Sequence, residues 1–104
     1  MNVEGNGAPI SFHLDVSGQV LQELKALAQS ALEKGIGLLV KKALQTVIRR
    51  LREAPLDFGE LVRHRKHLKL LEHVGYVAPL RVWFAIHQEL HFVVIRKVEL
   101  VIPE

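Results

Sequence analysis

The chain has 104 residues, 49% of them hydrophobic and 24% charged, with a net charge of +3 and no cysteine. That length suits one globular domain and leaves no room for two. The absence of thiols excludes disulfides and thiolate metal sites. No apolar run reaches the roughly 18 residues that a membrane-spanning helix needs. Residues 1–9 are small and polar around Glu4 and lack the basic start and apolar stretch of a signal peptide. They read as a flexible N-terminal leader, with the cytoplasm as the expected location.

Ile10, Phe12, Leu14 and Val16 alternate with Ser11, His13 and Asp15, the period of a half-buried strand. Ser17 follows as a helix N-cap. Val20, Leu24, Leu27, Ala28 and Ala31 then fall at helical spacing, and Gly35 ends that helix. In a second helix, Val40, Ala43, Leu44, Val47, Ile48 and Leu51 form one continuous apolar stripe. Lys41, Lys42, Gln45, Arg49, Arg52 and Glu53 take its opposite side, and Pro55 stops it. The short Gly35–Gly37 link makes the two helices an antiparallel hairpin.

After the Pro55–Gly59 turn the period returns to two. Leu68 and Leu70 alternate with polar neighbours, and Gly75 reads as a bend or bulge before Pro79. Leu80, Val82, Phe84 and Ile86 alternate with Arg81, Trp83, Ala85 and His87. Phe92 to Ile95 is apolar on both faces, as a central strand would be, and Val98–Ile102 continues it or turns into a final extended piece. The expected fold is α+β, in the order β-α-α-β-β-β, with an antiparallel sheet and both helices on one of its faces.

Charge is unevenly placed. Residues 41–69 carry nine Lys or Arg against Glu53, Asp57 and Glu60, whereas residues 1–35 are net acidic. Such a block attracts polyanions or an acidic partner, or is simply a solvated helix face and sheet edge. On the sheet, Arg81, Trp83 and His87 point away from the helices. That face is either a surface for stacking and phosphate contacts or a small cluster with Arg81 laid over Trp83.

The layout of strand, helical hairpin, proline–glycine turn and strands resembles the RelE/ParE toxin superfamily of bacterial toxin–antitoxin modules. The segment Leu80-Arg81-Val82-Trp83-Phe84-Ala85-Ile86 looks like that family's tyrosine-arginine-valine-x-aromatic-x-aliphatic strand. Arg50-Leu51-Arg52-Glu53-Ala54-Pro55 is similar to its proline-closed helix. The resemblance implies a single domain over residues 10–104 that acts on RNA as a metal-free mRNA endoribonuclease. It implies an antitoxin partner, RNA or the ribosome as target, and no small-molecule cofactor. By position Arg81 takes the family's phosphate-binding or transition-state-stabilising role, and Lys66 and Lys69 fall in its basic region. The family's ribonucleases commonly end with a basic residue and a tyrosine. Here the end is Val98-Glu99-Leu100-Val101-Ile102-Pro103-Glu104. The alternative is therefore a non-catalytic module of the same fold that engages an antitoxin, gyrase or another partner protein.

Metal-free RNA cleavage needs a base, an acid and a cation for the charged phosphorane, tasks suited to His and to Arg or Lys. Arg63-His64-Arg65-Lys66-His67 holds both residue types. Read as a strand, it places Arg63, Arg65 and His67 on one face, and His64 and Lys66 on the other. The candidate catalytic residues are Arg81, His64 and His67. The candidate RNA-binding residues are Arg63, Arg65, Lys66, Lys69 and Trp83. A charged edge strand that discourages sheet pairing is the plainer reading of the same stretch. His64-x-x-His67 and His87-x-x-x-His91 have chelating spacing only on a helix, so no metal site is assigned.

Overall fold

The computed structural model describes residues 11–101. A short strand β1 (His13–Val16) runs into helix α1 (Gly18–Glu33). The Oγ of Ser17 accepts the Val20 N–H at 3.1 Å and caps α1 as the sequence predicts. Gly35 has a φ of +76°, the left-handed conformation that lets the chain turn back. The Ile36 N–H then donates to the Ala31 carbonyl at 2.9 Å. Helix α2 (Gly37–Glu53) buries Val40, Ala43, Val47 and Leu51, and Pro55 opens a single 3-10 turn, Pro55–Asp57. The α1 stripe is narrower than its pattern suggests: Leu24 and Leu27 are half-buried and Ala28 is exposed.

Four more strands follow: β2 (Glu60–Arg65), β3 (Leu70–Val77), β4 (Leu80–His87) and β5 (Phe92–Leu100). They form one sheet in the order β1-β5-β4-β3-β2. The α+β class, the element order and the packing of the helices on the sheet are as the patterning predicts. Two details differ. The sheet is mixed, because β1 lies parallel to β5 while every other pair is antiparallel. A parallel neighbour needs a long crossover, and the helical hairpin is that crossover. The segment from Glu60 to Val77 is also a hairpin of two strands rather than one. Residues 1–9, Ile10 and Ile102 lie outside the described residues. Among the described residues no helix is long and apolar enough to cross a membrane.

The core lies between the helical hairpin and one face of the sheet. Val47 and Leu51 meet Leu80, Val82, Phe84, Ile86 and Val93, all essentially without solvent contact. At the β3 end the layer is closed by Phe58, which stacks on Phe84 with ring centroids 5.5 Å apart. Gly75 is neither bent nor bulged, contrary to its sequence reading: it pairs in register with Val82. Its missing side chain makes room for Phe58, since a Cβ there would lie 2.5 Å from the Phe58 ring. His73 is buried against the Phe84 ring, centroids 5.4 Å apart, and its Nδ1–H donates to the Phe58 carbonyl at 3.0 Å.

Two stability losses are expected from this packing, both measurable by urea denaturation. Gly75→Ala overpacks Phe58 and lowers stability by about 2 kcal/mol. Phe84→Ala leaves a cavity beneath Phe58 and costs about 3–5 kcal/mol.

Candidate nucleic-acid interface

Successive residues of a strand point to opposite faces of a sheet. With Leu80, Val82, Phe84 and Ile86 under the helices, Arg81, Trp83, Ala85 and His87 belong to the uncovered face. Cross-strand pairing extends this set sideways. Arg81 lies between Tyr76 and Glu99, and Trp83 between Val74 and Lys97. Between Trp83 and Phe84 the β4–β5 register shifts, so that Lys97 and Ile95 are paired and Arg96 is the extra residue. This bulge leaves Arg96 and Lys97 both exposed beside the indole.

The Trp83 ring is flanked by cations. Lys97 Nζ lies 4.8 Å from its centroid and the Arg81 guanidinium carbon 5.9 Å. Glu99 is their counter-ion, 3.3 Å from Arg81 and 3.9 Å from Lys97. Next to Trp83 is a groove of about 280 Å³ lined in part by Val62, Arg65, Glu72, Arg96 and Lys97. Arg65 Nε binds Glu72 Oε2 at 2.7 Å on its wall. Half-exposed pairs of this kind contribute little to stability, which leaves the cations available to a ligand.

The basic stretch divides differently from its strand reading. Arg63 and Arg65 pair with Glu72 and Leu70 and so face the open side with Trp83. His64 pairs with Leu71, whose neighbour is Ile86, and so faces the helix-bearing side at an uncovered edge. The strand ends at Arg65. Lys66, His67 and Leu68 form a 3-10 turn, closed by Lys69 in the left-handed conformation at φ 57°. His67 and Lys66 therefore belong to neither strand face, because the chain reverses there to start β3. Lys69 Nζ reaches across to Glu89 at 3.0 Å, in the β4–β5 turn.

Of the sequence candidates, Arg63, Arg65, Arg81 and Trp83 come together on one face, and His64 and His67 do not join them. Two histidines share Arg81's side of the sheet: His13, exposed on β1 beside Phe92, and His87, six residues along β4 and thus about 20 Å away. His87 is engaged locally, stacked 5.1 Å from Phe92 and accepting the Leu90 N–H on Nδ1 at 3.1 Å. Tyr76, Arg96 and Lys97 belong to the interface and were not singled out by the sequence pattern. The adjacent cations Arg96-Lys97, which interrupt the alternation of the last strand, are the signal that could have found two of them. Among the described residues no group of three or more His, Asp or Glu is placed to hold a metal ion. The arrangement can stack bases on Trp83 and Tyr76 and hold phosphates with the surrounding cations. Acid–base cleavage needs a positioned proton donor and acceptor, and the neighbours of Arg81 across the sheet supply only the paired carboxylate of Glu99 and the phenol of Tyr76.

Comparisons with family models, with curated proteins and with solved structures returned no match.

Trp83 is the single tryptophan, so its fluorescence reports on this face alone. Iodide is expected to quench it more strongly than caesium at equal concentration, because flanking cations concentrate anions. Lys97→Gln should narrow that difference. Equal quenching by the two ions would contradict a cationic Trp83 environment.

Proposed function

We propose that this chain is a RelE/ParE-type, toxin-like domain that acts on RNA by binding it on the open face of its sheet. The observation that carries the reading is Trp83, set between Arg81 and Lys97 on a face that no helix covers. An aromatic ring with a π-face for any base, ringed by phosphate-binding cations, is the chemistry of single-strand recognition. The order of strand, helical hairpin and strands supports the family part of the proposal. The separation of His64 and His67 from Arg81 supports binding over cleavage, and the endoribonuclease reading is the alternative that the RNA assay tests.

A labelled ten-nucleotide single-stranded RNA tests both parts. Binding should weaken with rising salt, as counterion release requires, and Trp83→Ala should weaken it about tenfold. Arg81→Ala should flatten the salt dependence by roughly one phosphate contact. The RNA should remain intact over hours in the presence of a chelator. Affinity unchanged in Trp83→Ala would sink the stacking role, and strand scission abolished in Arg81→Ala would restore the enzyme reading.

A further inference from the structure

The groove beside Trp83 holds a carboxylate whose hydrogen-bonding capacity is only partly used. Val74 pairs with Trp83 and Glu72 with Ala85, so Glu72 is the diagonal neighbour of Trp83 on the open face. Such neighbours lie about 7–8 Å apart. The Glu72 side chain is only 23% exposed. Its Oε2 accepts from Arg65 Nε at 2.7 Å, and among the described residues Oε1 has no protein donor. A carboxylate offers about four lone-pair sites, so both oxygens can still accept while Arg65 fixes their orientation. On the other side of Trp83 the β5 bulge adds Arg96, which has no carboxylate within 4.0 Å among the described residues. Glu72, Trp83 and Arg96 all line the one groove of about 280 Å³, at the small end of the range for ligand pockets.

We infer that this groove is a guanine-nucleotide site, in which Glu72 reads the base and Arg96 holds a phosphate. Guanine presents two adjacent donors on its Watson–Crick edge, N1–H and the N2 amino group, and a carboxylate accepts from both at once. Adenine, cytosine and uracil each set an acceptor beside their one donor group. That acceptor would face a carboxylate oxygen already withdrawn from water, and the lost hydrogen bond would not be replaced. The half-buried indole of Trp83 and the side chain of Val62 give the ring apolar contact. The Arg96 guanidinium matches a phosphate in shape and charge. In a groove that met phosphates alone, Glu72 would only repel them. Glu99, the other carboxylate near Trp83, is engaged by both Arg81 and Lys97. The inference rests on the reading of the open face as a nucleotide-binding surface and adds a base preference to it. A guanosine within a single strand and free guanosine monophosphate share this chemistry, and the experiment separates them.

The probes are a labelled ten-nucleotide oligouridine, the same strand with one central guanosine, adenosine or inosine, and free guanosine and adenosine monophosphates. Strands are read by anisotropy and free nucleotides by Trp83 fluorescence, with the full chain. The guanosine strand should bind about tenfold more tightly than the adenosine strand, a comparison in which both bases are purines that stack. Inosine keeps N1–H but lacks the N2 amino group, and its strand should fall between the two. Glu72→Gln, a change that conserves size, should level the guanosine and adenosine strands. It should neither weaken oligouridine binding nor alter the far-UV circular dichroism. Arg96→Gln should weaken every strand alike and leave their ratio unchanged. Saturable binding of guanosine monophosphate, with no strand bound, would make the free nucleotide the ligand: the site would stand and the RNA reading alone would fall. Equal affinity for the guanosine and adenosine strands, with the two monophosphates also bound alike, would overturn the inference and leave the RNA reading in place. A guanosine preference that survives Glu72→Gln would overturn it as well.

Discussion

The alternation of β4 governs the rest of this molecule. Leu80, Val82, Phe84 and Ile86 are buried against the helices, and the intervening residues are Arg81, Trp83, Ala85 and His87. A strand slip of one residue would put every one of these side chains on the wrong face. The burial of four apolar side chains, each worth roughly 1.5–3 kcal/mol, therefore fixes the register. The same register sets a half-buried arginine and a half-buried tryptophan on the face away from the helices. Folding energy and surface chemistry are set by one constraint.

Phe58 carries that constraint to the edge of the sheet. Helix α2 reaches as far as β3, and a 3-10 turn opened by Pro55 delivers Phe58 onto Gly75 and Phe84 beside it. Arg50 caps the ring from outside, its guanidinium carbon 4.9 Å from the centroid, and reaches the Asp57 carbonyl at 3.3 Å. His73 satisfies the carbonyl of Phe58 from below. A buried histidine in this setting is a structural group: its polar atom is matched to a backbone acceptor that would otherwise be left unpaired. With the layer closed by Phe58, β2 can remain an uncovered edge. Its bulge between Leu61 and Arg63, and its charges, are devices that discourage sheet-to-sheet pairing.

The result is a molecule with two differently charged surfaces. The open sheet face mixes cations with Glu72 and Glu99 around aromatic rings, so its cations are already oriented by partners. The outer stripe of α2 has cations facing solvent and Leu38 at one end. Oriented cations beside a π-face suit a planar, stacked ligand. The basic block of residues 41–69 is thus split between two faces that one rigid ligand cannot meet together.

The sequence by itself determined the helices, the Ser17 cap of α1, the Pro55 stop and the orientation of β4. Each is a local matter, fixed by a repeat of two or 3.6 residues or by a single capping side chain. It also made Arg81 and Trp83 neighbours on one face. Tertiary structure alone decided which other residues join them. Tyr76, Arg65 and Lys97 come from three separate strands and share the face of Arg81 and Trp83 only through pairing. The β2–β3 reversal was hidden because Lys69, not glycine or asparagine, takes the left-handed position. The parallel placement of β1 was hidden because strand direction depends on the path of the crossover and leaves no mark on a four-residue pattern. Gly75 was visible as an exception, but its reason, the ring of Phe58, comes from another segment of the chain.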